Sequence, residues 1–129
     1  MMRLLLDTHI LIWIAQDSPR LSPKARATIV DPENEKFFSV VSIWEIAIKS
    51  TVDREEFTFD AATLRDGLFA RAFAELPVAG KHALATSRLP ALHKDPFDRL
   101  LVAQALEEGL TLLTADAVVA SYSAAFVRV

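Results

Sequence analysis

Three short apolar runs in this chain, Leu4-Leu5-Leu6, Phe38-Ser39-Val40-Val41 and Thr111-Leu112-Leu113, each pass directly into a segment of helical spacing. That alternation is the strongest constraint on the fold. A strand buried on both faces and followed at once by a helix implies a β-α-β crossover, and therefore a mainly parallel sheet covered by helices on both sides. Extending the pattern outward, strands are predicted at Met2 to Leu6, Phe37 to Val41, Leu76 to Val78, Thr111 to Thr114 and Phe126 to Val129. Helices are predicted over Ile10 to Gln16, Ser42 to Thr51, Asp60 to Glu75, Gly80 to Ser87 and Pro96 to Glu108, with a short one before the last strand. Ser22-Pro23 reads as a cap and first helical position, and Gly109 as the residue that ends the helix before it. The expected fold is α/β, a three-layer α/β/α sandwich in one domain spanning residues 1–129.

Composition narrows the chemistry. The chain has no cysteine, which removes disulfide scaffolds, thiolate zinc sites and cysteine nucleophiles. Its 3 glycines argue against a phosphate-cradling loop. A net charge of −3 excludes a general basic coat, so any nucleic-acid binding must use a local patch or a bound cation. The apolar runs are too short for a signal-peptide core or a membrane span, so a soluble, cytoplasmic protein with no membrane partner is expected.

In parallel sheets, ligands sit beyond the carboxyl ends of the strands. Three acids lie there: Asp7, Glu45 and Asp116 each follow an apolar run. A fourth, Asp98, shares a helix stripe with Leu101, Val102 and Ala105, which turns it inward. Each acid alone has an ordinary explanation. Ser42 and Glu45 have the spacing of a capping box, Asp95-Pro96 that of a cap and first turn, Thr114 can cap the helix holding Asp116, and Asp7 can close a strand in a turn. Capping, however, requires no convergence. Carboxylates gathered at one edge repel, and must either protonate or hold a cation. Oxygen ligands without cysteine favour Mg²⁺ or Mn²⁺, and such an ion accepts phosphate oxygens, which points to a phosphodiester.

At these residues the chain resembles PIN-domain nucleases, in particular the VapC type of toxin–antitoxin modules. The resemblance is carried by Asp7-Thr8, by Ser42-x-Trp44-Glu45-Ile46-Ala47-x-Lys49, by His93-x-Asp95-Pro96-Phe97-Asp98-Arg99-Leu100-Leu101-x-Ala103-Gln104-Ala105 and by Thr114-x-Asp116. It runs from the first strand to the last. It implies a PIN-like fold and a catalytic metal site made of Asp7, Glu45, Asp98 and Asp116, with Thr114 at the hydroxyl position near the last acid. It also implies metal-dependent endoribonuclease activity and inhibition by a cognate antitoxin.

Around the acids, Asp95 reads as a cap or as a further ligand, and His93 as a surface hydrogen-bonding residue or a donor to phosphate. Lys49, four residues after Glu45, either forms a helix-face pair or contacts RNA. Arg99 is placed to steady Asp98 or a phosphate. Leu76 to Lys94 contains no acid but holds Lys81, Arg88 and Lys94, a candidate backbone-binding patch. The apolar faces around Trp13 and Trp44 suggest a homodimer. Two other functions fit less well: a metal-dependent phosphatase with Asp7 as nucleophile, and a non-catalytic metal- or phosphate-binding module.

Overall fold

Leu4, Leu5 and Leu6 are wholly buried, as a central parallel strand requires. The computed structural model of the chain describes residues 1–52 and 60–129. Its described elements run β1 (Arg3–Leu6), α1 (Thr8–Gln16), α2 (Pro23–Val30), β2 (Glu35–Ser39), α3 (Val40–Lys49), α4 (Ala61–Ala70), β3 (Ala74–Leu76), α5 (Gly80–Thr86), α6 (Pro96–Glu108), β4 (Thr111–Thr114), α7 (Ala117–Ala120) and β5 (Val127–Arg128). The five strands form one sheet in the order β3-β2-β1-β4-β5, and every pairing is parallel.

Alternation along the strands sorts the core into two layers. Leu4, Leu6 and Leu113 point to the side covered by α1, α2 and α4, whereas Leu5 and Leu112 point to Leu101, Val102 and Ala105 of α6 and Val119 of α7. Helix α5 packs on α6, and α3 bridges the layers, with Ile46 in one and Val41 in the other. The chain moves from β1 outward to β3, then returns to place β4 on the other side of β1. The strand order therefore reverses between β1 and β4, where a parallel sheet opens a crevice. The ladder there continues past the strand, since the Asp7 amide donates to the Leu113 carbonyl at 3.0 Å.

Several boundaries move from the predicted ones, each for a local reason. Helix α1 starts at Thr8 rather than Ile10, because Asp7 is already its cap. The second strand covers Glu35–Ser39 rather than Phe37 to Val41: the Ser39 hydroxyl accepts the Val41 amide at 3.0 Å, which draws Val40 and Val41 into α3. Ser42 is thus inside the helix, and the Ser42–Glu45 capping box does not form. The segment predicted as one helix from Asp60 to Glu75 ends at Ala70. Ala72 turns left-handed (φ 66°), the Phe73 amide closes onto the Leu68 carbonyl, and Ala74–Leu76 becomes an edge strand in place of Leu76 to Val78. The conformation there is one that glycine usually supplies, so alanine gave no signal. Helix α6 follows its predicted bounds, with Gly109 left-handed at φ 66°.

Candidate active site

The sheet edge presents its acids by capping helices. Asp7 caps α1 through Oδ1, which accepts the amides of His9 (3.0 Å) and Ile10 (3.4 Å). Asp116 caps α7, with Oδ1 accepting Val118 (2.8 Å) and Val119 (3.1 Å). Asp95 caps α6 through Oδ1 to Phe97 (2.8 Å) and Asp98 (3.3 Å). Capping and convergence are therefore the same arrangement. In Asp7 and Asp116 one oxygen serves the helix and the other faces the site, and the positive helix ends favour the negative charge.

The remaining oxygens meet a ring of hydroxyls and cations. Thr114 Oγ1 donates to Asp7 Oδ2 at 2.5 Å and accepts the Asp116 amide at 3.0 Å, so it joins the two acids and is not itself the cap of α7. Thr8 Oγ1 donates to Glu45 Oε1 at 2.6 Å and shares a hydrogen bond with Ser42 Oγ at 2.9 Å. Lys49 Nζ reaches the other Glu45 oxygen at 2.5 Å and lies 5.6 Å from the centre of the Phe97 ring. Lys49 is thus a helix-face partner of a buried acid: Glu45 is 2% exposed.

Asp98 differs from the others because no amide or hydroxyl holds its carboxylate among the described residues. Its partner is His93, whose Nε2 lies 3.2 Å from Asp98 Oδ2 and 3.3 Å from Asp116 Oδ2. The Asp95 amide donates to His93 Nδ1 at 3.0 Å, so the ring proton sits on Nε2 and points at both acids. The imidazole is therefore oriented as a donor to carboxylates or phosphate, not as a metal ligand. Its loop is fastened from behind. Tyr122 Oη accepts the His93 amide (2.9 Å) and donates to the Pro90 carbonyl (3.1 Å), and Arg99 donates to the carbonyls of Thr86, Pro90 and His93. Arg99 consequently does not steady Asp98 or face a phosphate: its guanidinium is spent on backbone. Tyr122 carried no signal in the sequence, being a lone tyrosine outside the motifs.

The electrostatics follow this geometry. Burial pushes the Asp98 carboxyl up to about 7, aided by the negative charges of Asp95, Asp7 and Glu45 and opposed by His93. Burial also raises Asp7, against lowering hydrogen bonds from Thr114 and the helix amides. Burial would raise Asp116 too, but the Val119 and Val118 amides and His93 outweigh it and hold its carboxyl below the usual range. Burial acts to lower Lys49, yet its bond to Glu45 leaves it raised.

Asp7, Glu45, Asp95, Asp98 and Asp116 line one cleft of about 340 Å³, together with His9, Trp13, Arg20 and Lys49. Such an excess of carboxylates over cations, all oxygen donors, fits a hard divalent ion. A consequence can be measured without one. Asp98 takes up a proton in the fold that it does not hold when unfolded, so metal-free stability falls as pH rises from about 4 to about 7. The gap in melting temperature between Asp98→Asn and the native chain should therefore widen across that window; a constant gap would contradict the site's electrostatics.

Two of the three cations of the predicted basic patch have acidic partners, while Lys94 has none among the described residues. Lys81 pairs with Glu108 (2.8 Å) and Arg88 with Glu107 (3.5 Å), because α5 packs against α6 and brings Lys81, and Arg88 just past its end, to that helix's acids. His82 is likewise structural: its Nδ1 accepts the Ala79 amide (2.9 Å) and its Nε2 lies 3.2 Å from Glu108.

This fold and site define a recognisable class. The PIN domain family model matches residues 4–124, and the chain belongs to that family, whose members are nucleases. No curated protein matches the chain. Among solved structures it is similar to VapBC2 from Rickettsia felis bound to a DNA fragment from their promoter, with a TM-score of 0.70 and 15% identity over 99% of this chain and 98% of that one. It is also similar to DNA-bound VapBC from Salmonella typhimurium (TM-score 0.60, 16% identity, 88% and 86% covered) and to FitAcB from Neisseria gonorrhoeae (0.59, 18%, 90% and 89%). At these identities the likeness establishes the fold.

Proposed function

We propose that the protein is a Mg²⁺- or Mn²⁺-dependent endoribonuclease and the toxin of a toxin–antitoxin pair. The observation that carries the chemistry is the convergence of Asp7, Glu45, Asp98 and Asp116 on one cleft, where burial, and after it the charges of Asp95, Asp7 and Glu45, raise the Asp98 carboxyl. These four would hold the ion. When bound, it supplies charge neutralisation of the scissile phosphate and acidifies an attacking water. Thr114 and Thr8 hold Asp7 and Glu45 in place, and Lys49 balances Glu45. Asp98, the least tethered acid, is suited to orient the water. His93 Nε2 is placed to donate a hydrogen bond to the phosphate or the departing oxygen.

A phosphatase using Asp7 as nucleophile is disfavoured, since Asp7-Thr8-His9 lacks a second acid two residues on. The toxin assignment is supported by the likeness to VapBC complexes. It entails an antitoxin that covers the acidic cleft with a cationic side chain, a homodimer using exposed apolar residues such as Trp44 (56% exposed), and a cytoplasmic setting. No described helix is long and apolar enough to cross a membrane.

The test is cleavage of a panel of structured RNAs with Mg²⁺, with Mn²⁺ and with chelator. Hydrolysis by water leaves 5′-phosphate and 3′-hydroxyl ends. Products with 2′,3′-cyclic phosphate, or cleavage that survives the chelator, would refute the mechanism. Harmless expression of the chain alone, with no co-purification of the product of the adjacent reading frame, would refute the toxin role and leave the nuclease standing.

A further inference from the structure

The acidic cleft has a second wall that the four acids do not explain. His9 and Trp13 lie four residues apart on α1, so they share a helix face, and their ring centres are 6.4 Å apart at 62°. Both are half-buried at the cleft and not lost in the core. Beyond them, Arg20 comes from the turn joining α1 to α2, and it too lines the cleft.

That turn is rigidly built. Asp17 is left-handed (φ 56°) and ends α1, and the Ser18 amide closes onto the Trp13 carbonyl at 2.9 Å. Arg26 spans the turn, pairing with Asp17 at 2.5 Å and donating to the Ser18 carbonyl at 3.2 Å. Ser18 Oγ accepts the Arg20 amide at 3.2 Å, and Leu21 is buried beside it. The backbone of Arg20 is thus held at the mouth of the cleft. Its guanidinium is exposed and, among the described residues, makes no ion pair or hydrogen bond. Arg3, Arg26, Arg65 and Arg88 pair with acids and Arg71 and Arg99 bond to carbonyls; Arg128, like Arg20, makes neither contact among the described residues but lies at a different cleft. What sets Arg20 apart is its place: an unpaired guanidinium lining the same cleft as two aromatic rings and the acid cluster.

It is well explained by a polyanion. The chain carries a net charge of −3, and Lys81 and Arg88 are paired with acids of α6, so a local cation at the cleft is the direct means of contacting a backbone phosphate. Aromatic faces that accept a base, with a cation a short distance away for the next phosphate, are how single strands are held. A base paired in a duplex cannot reach such a wall.

We propose that His9, Trp13 and Arg20 form a subsite for one unpaired nucleotide beside the scissile phosphate, with the α1 rings facing its base and Arg20 its phosphate. The inference rests on the nuclease reading above and adds the side chains that grip the strand on the α1 side of the cleft.

The test measures binding rather than turnover. A fluorescein-labelled single-stranded RNA of mixed sequence is titrated in Ca²⁺, with a gel to confirm that it stays intact, and affinity is followed by anisotropy over a salt series. Arg20→Ala should weaken binding about 10-fold and reduce the salt slope by about 0.7, one phosphate contact on a single strand. Its melting temperature should not move. Trp13→Leu should weaken binding by about 10-fold, within the range for loss of one stacked base. Because Trp13 also packs on the core, a third measurement avoids truncating it: in Trp44→Phe, the remaining Trp13 fluorescence should be quenched by the single strand and not by its duplex.

Native-like binding by both variants, within twofold, or an unquenched Trp13 would overturn the subsite while leaving the nuclease reading untouched. If Arg20→Ala binds RNA normally but alters self-association in sedimentation, the wall is a protein contact and the inference fails. Absence of RNA binding by the native chain would overturn both. The predicted losses in a protein that cuts nothing would uphold the subsite and refute the nuclease.

Discussion

Asp98→Asn should abolish RNA cleavage, by about 100-fold or more, while leaving the metal-free protein at least as stable as the native chain. The loss should exceed the 10–100-fold typical of residues that act one step removed from a metal. The stability arises because Asp98 is the acid most burdened by its neighbours: burial and the charges of Asp95, Asp7 and Glu45 hold its carboxyl near 7. An amide of the same shape removes that repulsion. It sacrifices no cap, since α6 is capped by Asp95. The rise in melting temperature that Mg²⁺ gives the native chain should also disappear, because an ion stabilises only what binds it in the folded state. Thermal melts with and without Mg²⁺, beside a cleavage assay, measure all three effects. A variant that keeps its Mg²⁺-induced shift, or is about 1 kcal/mol less stable without metal, would show that Asp98 serves the helix rather than the site.

Gln104→Leu should be the most damaging conservative change outside the acids. Gln104 and Ser39 are both fully buried, and the Ser39 hydroxyl donates to Gln104 Oε1 at 2.5 Å while Gln104 Nε2 donates to the Pro77 carbonyl at 3.2 Å. This amide ties α6 to the end of β2 and to the segment after β3. Leucine fills the space but leaves the Ser39 hydroxyl proton without an acceptor and the Pro77 carbonyl without its Gln104 donor, at about 1–3 kcal/mol for each buried group. Chemical denaturation should therefore show a loss of about 2–4 kcal/mol. Adding Ser39→Ala should cost less than it does in the native chain, because the hydroxyl proton it removes has already lost its partner and only the cap on the Val41 amide remains to be lost. Additive losses in the double variant would mean that the two residues are not coupled. Because the amide anchors the helix that carries Asp98, Gln104→Leu should also weaken Mg²⁺ binding, whereas a truncation in the opposite layer, such as Ile29→Val, should not.

The order of elements and the four acids were legible in the sequence because both leave local marks. Apolar runs buried on both faces, helix starts at Ser22-Pro23 and Asp95-Pro96, and Gly109 at a helix end are features of adjacent residues, set by backbone sterics and solvation. Asp7 and Asp116 just after their strands, Glu45 on the helix that follows β2 and Asp98 on the inward stripe of α6 followed from the same local patterns. Where a local mark was missing, the reading strayed: Ala72 holds a left-handed turn without glycine, and Ser39, not Ser42, caps α3. What each side chain does was decided only by the tertiary structure. Thr114 reaches Asp7 across 107 positions, Thr8 reaches Glu45 across 37, and α6 acids pair with Lys81 and Arg88. Tyr122 and Arg99 fasten the loop that aims His93, and Arg20 is brought to the cleft by a turn that Asp17 and Arg26 hold. Hydrogen bonds and charges act over a few ångströms whatever the separation along the chain, so partners of this kind exist only once the sheet has brought their strands together.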